Sequence, residues 1–300
     1  MSHYDLCLAW NWEYDADFVR LIEAACNTRS MSILHVRPET LGQVLAGLEN
    51  GETNFSVLFD RASESDPHFQ PLVDWAGKQK TFCINPQQQT AWSWDKATMH
   101  LEFISRGLYT PHTIILPPFS IHPSILLHDL KPLGGSFAIK PACEGGGDGV
   151  ILEASSWDQV LDARRQFPDE KYLLQAHIAP RVLDGHPAWF RVLVCEGAVY
   201  PCWWDQHTHV YKRVTAEEKA RFGLRSLSEV PARIAQICRL QLFSTEIALT
   251  EDGHFLAVDY VNDPVDLRLQ SKAVDGVPDI YVESIAARLV RLADVHRSNR

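Results

Sequence analysis

The chain lacks most features that mark a protein for a membrane, a disulfide scaffold or a nucleic acid. Its 28 lysines and arginines face 38 acids, a net charge of −10, and no basic block interrupts the sequence. Neither nucleic acid nor an anionic membrane surface is therefore an expected partner. No apolar run approaches the roughly 18–20 residues that a bilayer-crossing helix needs. Met1-Ser2-His3-Tyr4-Asp5 has no basic stretch ahead of an apolar one, so no secretory leader is expected. The seven cysteines are odd in number and scattered (Cys7, Cys26, Cys83, Cys143, Cys195, Cys202, Cys238), with no C-x-x-C pair. That argues against a disulfide framework and a structural zinc site, and fits reduced, mostly buried thiols in a cytoplasm. Repeats, low-complexity linkers and a convincingly spaced Ser–His–Asp or Cys–His constellation are missing as well.

What is present suits a sizeable core: 46% of the 300 residues are hydrophobic, enough for two domains or one large composite one. From residue 4 to about 85, short apolar runs alternate with amphipathic stretches. Tyr4–Trp10, Ser32–Val36, Asn54–Asp60 and Thr81–Asn85 read as strands. Asp17–Asn27, Pro38–Leu48 and a segment opening at Asp66-Pro67 read as helices. Such alternation implies an α/β domain with a mostly parallel sheet over residues 1–93. Functional candidates at its strand ends are Trp10, Asn11, Trp12, Arg37, Arg61 and Asn85, each as readily structural. A helix from Trp94 to Arg106 ends at Gly107, and a strand, Ile114–Leu116, follows. A short helix is expected near Ile125–Leu130 and a longer one at Ser156–Phe167. Strands are expected at Tyr172–Ile178, Phe190–Cys195 and Ala198–Trp203, and helices at Ala216–Arg221, Val230–Leu242 and Ile280–Val295. The whole is thus an α/β, or composite α+β, chain.

Residues 137–150, Phe-Ala-Ile-Lys-Pro-Ala-Cys-Glu-Gly-Gly-Gly-Asp-Gly-Val, carry the strongest local signal. An apolar strand closes on Lys140, a loop with Gly145, Gly146, Gly147 and Gly149 follows, and Val150-Ile151-Leu152 resumes the apolar pattern. Glycine lets backbone N–H groups approach a ligand closely, and successive N–H groups cradle an anion beside which a lysine adds a point charge. A polyphosphate is the ligand such a stretch suits, although a flexible hairpin tip has the same composition. A Walker loop is excluded because no Lys-Ser/Thr and helix follow; a dinucleotide fingerprint is excluded for want of the helix.

A second signal is the hairpin from Glu246 to Asn262 around Glu251-Asp252-Gly253. Folding it brings Glu246 to the same edge as Asp259 and Asn262. Two carboxylates and an amide oxygen make a hard-oxygen site suited to Mg²⁺, although two solvated acids at a strand edge fit the same pattern.

The order of these pieces resembles the ATP-grasp superfamily, near the D-alanine–D-alanine ligases, glutathione synthetases and ribosomal protein glutamate ligases. The resemblance rests on Asp95-Lys96 leading to Gly107-Leu108-Tyr109-Thr110-Pro111-His112-Thr113, then Lys140-Pro141 with Glu144 to Gly149. It continues through Gln175-Ala176-His177-Ile178, Trp189-Phe190-Arg191-Val192 and the acid hairpin. It spans residues 94 to about 270 and implies a two-part unit at 94–300, divided into 94–174 and 175–300. By resemblance, Lys96 and Lys140 contact ATP phosphates under a loop running from Glu144 and Gly145 through Gly149. The backbone of Ala176 and Ile178, at the Gln175 strand, holds the adenine edge. Arg191, with Lys212 or Arg213, balances charge at the γ-phosphate, and Glu246, Asp259 and Asn262 bind one or two Mg²⁺ ions, with Mn²⁺ as a substitute. The implied activity is an ADP-forming ligation of a carboxylate to an amine, either small molecules or peptides. An ATP-dependent small-molecule kinase and a nucleotide-binding regulator without turnover are the alternatives; a homodimer is the default assembly.

This chain departs from the family pattern in ways with physical consequences. The first metal acid is glutamate, and three positions rather than two separate Asp259 from Asn262. Strict alternation would put Tyr260 on the face of Asn262, so either a β-bulge restores Asp259 or Asp263 replaces it. Ala176 stands where the hinge usually has an acid, leaving adenine recognition to the backbone. Trp189 stands in the ribose acid's place, for which Asp184 could substitute. His207 and His209 share a strand face with no third ligand. Trp203-Trp204 suits a pocket wall or core equally, and Cys143 in the loop is open to thiol reagents. Arg268 and Lys272, beyond the hairpin, are candidates for a substrate carboxylate.

Overall fold

In the computed structural model, residues 1–125, 129–145 and 147–297 are described. Gly146, and residues 126–128 of the short helix expected near Ile125–Leu130, lie outside them.

The first 85 residues alternate as expected. Strands β1 (Ser2–Trp10), β2 (Ile33–Val36), β3 (Thr53–Arg61) and β4 (Phe82–Ile84) alternate with helices α1 (Ala16–Thr28), α2 (Pro38–Glu49) and α3 (Gln70–Lys78). All pairings are parallel, in the order β2-β1-β3-β4. One face packs on α2 and α3 through Phe55, Leu58, Leu72 and Ala76. The other packs on α1 and also on a core continuous with the C-terminal sheet and the last helix. The N-terminal sheet is thus built into the molecule on one side.

Two helices lead out of it, α4 (Gln87–Trp94) and α5 (Lys96–Ser105). The first, with its Gln-Gln-Gln-Thr start, carries no apolar periodicity and is invisible in the sequence. Asp95 ends α4 and caps α5, its Oδ1 accepting from the amides of Ala97 (3.0 Å) and Thr98 (3.1 Å). Gly107 follows with φ +68°, the helix-stopping conformation its position suggests.

Strands β5 (Thr113–Leu116), β6 (Phe137–Pro141), β7 (Ile151–Ala154) and β8 (Tyr172–Ala176) form an antiparallel sheet in the order β5-β8-β6-β7, backed by α6 (Trp157–Gln166). The glycine loop joins β6 to β7. A ribbon of β9 (Val182–Leu183) and β10 (His186–Pro187) leads into the largest sheet. That sheet comprises β11 (Trp189–Cys195), β12 (Ala198–Trp204), β13 (Tyr211–Arg213), β14 (Leu242–Leu249) and β15 (Phe255–Asn262), in the order β13-β12-β11-β14-β15. Between β13 and β14 run α7 (Ala216–Arg221) and α8 (Ser226–Cys238); α9 (Asp279–Arg297) closes the chain. One face of the large sheet packs on α5 and α8 through Phe190, Ile247, Ile234 and Phe103. Its opposite face splits. Leu193, Cys195, Tyr200 and Leu242 join the core shared with β1 and α9, whereas the rows nearer residues 189, 191, 204 and 246 carry polar side chains.

Candidate nucleotide and metal site

Side chains of directly paired strand residues share a face, so the register alone assembles a row: Arg213, Cys202, Arg191, Glu246 and Asp259. Asp259 joins it because β15 is irregular on both sides of that residue. Ser244 pairs with Asn262, Glu246 with Asp259, and Ile247 with Ala257, with a register shift at each step. Two residues, Tyr260 and Val261, therefore oppose the single Thr245, and of the two alternatives the three-residue spacing left, the bulge is the one present. Asp263 turns away instead. Its carboxylate accepts from Thr90 Oγ1 (3.0 Å) while its carbonyl takes the Trp94 indole N–H (2.7 Å). Buried there, its carboxyl is pushed up to about 6. Asp259, not Asp263, faces Glu246.

Arg191 donates from Nη1 to Glu246 Oε1 at 3.0 Å, and the Trp189 indole donates to Oε2 at 2.9 Å. The two charged side chains keep 21% and 12% of their surface exposed, enough for a ligand to reach them. Trp204 flanks the Arg191 guanidinium at 5.1 Å and packs on Tyr211 and His209. Burial raises Glu246, and Asp259 raises it further against the opposing pull of Arg191, so it titrates above an ordinary glutamate. Burial likewise pushes Asp259 upward, but Lys140, Lys96, Arg191 and a hydrogen bond from Asn262 outweigh it and hold it below the usual range. Three cations thus answer Asp259 from three different elements.

Two of those cations flank the glycine loop. Lys96 opens α5, and its Nζ donates to the Glu144 carbonyl at 2.6 Å, so helix and loop meet at that ammonium. Lys140 on β6 donates to Gln175 Oε1 at 2.8 Å. Burial lowers its pKa, and Asp259 and Glu246 recover only part of the loss. Gly147 and Gly149 hold φ of +88° and +68°, and a Cβ on Gly149 would stand 2.6 Å from the Phe167 ring. Cys143 is exposed, but burial of its sulfur with Glu170 and Asp95 nearby pushes the thiol up to about 11, against the reactivity expected of it.

Other expected residues sit elsewhere. Lys212 belongs to the neighbouring row with Trp203, Phe190 and Ile247, on the opposite face from Arg191, and lies 3.8 Å from Glu218. Arg213 shares the Arg191 face but is two strands away, over the Tyr281 ring at 5.2 Å. Asp184 caps the β9–β10 turn and is paired with Arg221 at 2.8 Å. Arg268 is clamped by Asp266 and Asp275 at 2.7 and 2.9 Å, leaving its fork occupied, while Lys272 is exposed. The amide of Ala176 donates to the His112 carbonyl at 2.9 Å, so any adenine contact there falls to other atoms of the hinge; Ile178 is half-buried just beyond. Of the N-terminal candidates, Arg61 forms a buried two-point pair with Asp15 (2.7 and 2.8 Å) and Asn85 binds the backbone of Gln241 and Leu242. Both are structural joints.

Sequence reasoning missed the Trp189 contact to Glu246 and a buried chain of hydrogen bonds behind Lys140. Gln175 Nε2 donates to the Tyr260 hydroxyl at 3.2 Å, and that hydroxyl lies 2.7 Å from His100 Nδ1. No sequence spacing signals contacts among residues 85 and 160 positions apart.

Among the described residues, no group of three or more His, Cys, Asp or Glu side chains is placed to hold a metal ion alone. Glu246, Asp259 and Asn262 nevertheless fit Mg²⁺: two carboxylates and an amide oxygen, close together and partly open, with phosphate oxygens and water to complete the shell. A cavity of about 800 Å³ at the β4 edge, lined by Val73, Lys78, Lys80, Phe82 and His296, contains none of these groups. Its size does not make it the site.

No family model matches the sequence, and no curated protein sequence does either. Solved structures do match over the whole length. The ligase PsnB, complexed with minimal precursor, Mg and ADP, is 13% identical with a TM-score of 0.62, covering 98% of each chain. The RimK domain protein from Sphaerobacter thermophilus is 16% identical at 0.62, covering 98% of this chain and 99% of that one. The D-alanine–D-alanine ligase from Bacillus anthracis, complexed with ATP, is 8% identical at 0.65, covering 100% and 98%. This chain has the ATP-grasp fold. Among the described residues no helix is long and apolar enough to cross a membrane.

Proposed function

We propose that the protein is an ADP-forming ligase that joins a carboxylate to an amine at the expense of ATP. The observation that carries this is the convergence of Lys96, Lys140 and Arg191 on the Glu246–Asp259 pair. Phosphoryl transfer depends on positioning and on neutralising charge, and this cluster supplies both.

Lys96 and Lys140 would hold ATP phosphates under residues 144–149, with the hinge at 176–178 gripping the base. Glu246, Asp259 and Asn262 would hold Mg²⁺, which when bound neutralises phosphate oxygens. Glu246 can do so while paired with Arg191, because an ionised carboxylate accepts about four hydrogen bonds or ligands. A substrate carboxylate attacks the γ-phosphorus, breaking its bond to the β-phosphate oxygen and giving an acyl phosphate and ADP. An amine then attacks the acyl carbon, expelling phosphate and losing a proton to form the amide. Arg191 faces the negative charge that builds during the first step. Closure of the glycine loop would keep water from the acyl phosphate.

The substrates of the fold's neighbours span peptides and small molecules: PsnB is bound to its precursor peptide PsnA2, and another neighbour is the D-cycloserine synthetase DcsG. Both classes belong in the test. Purified protein is incubated with MgATP and pooled acids, amino acids and peptides, and products are read by mass spectrometry. ADP and phosphate formed only when an acid and an amine are both present support the ligase. A phosphorylated product with no amine requirement would make the protein a kinase, and unchanged ATP under every mixture a nucleotide-binding regulator.

A further inference from the structure

The metal strand carries an extra residue, and the structure shows what occupies it. The bulge that seats Asp259 beside Glu246 sends Tyr260 to the opposite face, where its ring is 1% exposed and lies edge-on to Phe103 at 5.2 Å. A core tyrosine needs a partner for its hydroxyl, and this one has three, Thr113 on β5 among them. His100 Nδ1, on α5, is 2.7 Å away, and Gln175 Nε2, on β8, donates at 3.2 Å. Gln175, 3% exposed, has its other end on Lys140 at 2.8 Å. One hydrogen-bonded chain therefore runs from β6 through β8 to β15 and α5, the helix that also opens with Lys96.

We propose that Tyr260 is a positioning residue: its hydroxyl, through Gln175 and His100, fixes the lysine of the phosphate site relative to the acid of the metal site. A lysine ammonium on a four-carbon stem has three rotatable donors and no fixed geometry of its own. Gln175 takes one of them, and Gln175 is in turn held by Tyr260. The backbone next to Tyr260 is that of Asp259. Lys140 on the antiparallel β5–β8 sheet and Asp259 on the large sheet are thereby set by one buried link rather than by two independent packings. The bulge is then functional rather than incidental, since a regular strand would point Tyr260 into the site and Asp259 away from it.

This inference rests on the ATP-dependent reading, and the test separates the two. Tyr260→Phe removes the hydroxyl and keeps the ring against Phe103. Affinity for MgATP, measured by calorimetry at a temperature where circular dichroism shows the fold intact, is expected to fall on the order of tenfold or more, as for outer-shell partners of metal ligands. Gln175→Met is expected to weaken binding similarly, and the double variant little further, because both break one chain. A purely structural tyrosine would lower the melting temperature of Tyr260→Phe and leave its affinity within about twofold; that result, or additive losses in the double variant, overturns the inference alone. A parent protein that binds no MgATP overturns the nucleotide reading and this inference with it.

Discussion

At the scale of single residues, the division of labour between two neighbouring acids decides the site. Asp259 faces Glu246 and three cations, whereas Asp263 is buried toward Thr90 and Asn85. Asp259→Asn is expected to lower ATP turnover on the order of 100-fold or more by removing a charge-bearing ligand. Asp263→Asn keeps the shape of its contacts and is expected to leave turnover within about threefold, at some loss of stability. Steady-state ADP release by both variants checks the pair; equal losses would contradict the register argument. Cys143 offers a pH test. Its thiol titrates near 11, so the thiolate is scarce at neutral pH and its fraction rises about tenfold per pH unit up to that value. Alkylation by iodoacetamide is expected to be still accelerating at pH 9.5, and a plateau near pH 8.5 would contradict the environment described.

At the scale of elements, caps and turns hold the loop and helix that bear the lysines. Asp95 caps α5 and pairs with Lys171. Burial raises its pKa, but Lys171 and Thr98 lower it more, leaving the folded value below 3.8. A depressed acid contributes stability above its unfolded pKa and loses it as pH falls through the folded one. Asp95→Ala is expected to cost about 1 kcal/mol at pH 7, and the difference from the parent to shrink below about pH 4, in urea titrations. Gly149→Ala forces a left-handed backbone and a clash with Phe167, and is expected to raise the KM for ATP more than it lowers the melting temperature, since the loop is at the surface. Much of this scale was readable from the residues. Proline at the start of α2 and the Gly107 stop mark their helices openly. Alternation at Phe55, Val57 and Phe59 marked β3. Helix α4 was not readable, because its residues carry no apolar period and its place is set by contacts such as Thr90 and Trp94 to Asp263. The site divides in the same way. The spacing of Asp259 and Asn262 left a bulge or a switch to Asp263 as alternatives, whereas the opposite-face placement of Lys212 and the clamp on Arg268 depend on register and on distant acids that spacing does not encode.

At the scale of the whole molecule, the N-terminal sheet is joined to the rest by buried polar links as well as by a shared core. Arg61, at the end of β3, pairs with Asp15 and also donates to the Val265 carbonyl at 3.1 Å, just past the acid hairpin. Burial disfavours its charge, but Asp15 outweighs that and keeps the guanidinium firmly protonated. Arg61→Ala strands the Asp15 carboxylate and is expected to destabilise the fold by about 3–5 kcal/mol, read by denaturant unfolding. A change under 1 kcal/mol would mean that water reaches Asp15. Asn85 makes the matching link from β4 to the start of β14. The most direct measurement is calorimetric titration of the intact protein with a non-hydrolysable ATP analogue, with Mg²⁺ and with excess chelator, repeated for Lys140→Met and Asp259→Asn. Saturable one-site binding that collapses with the chelator and in both variants is the expected result; no binding by the parent, or binding untouched by chelator and variants alike, would contradict the assignment.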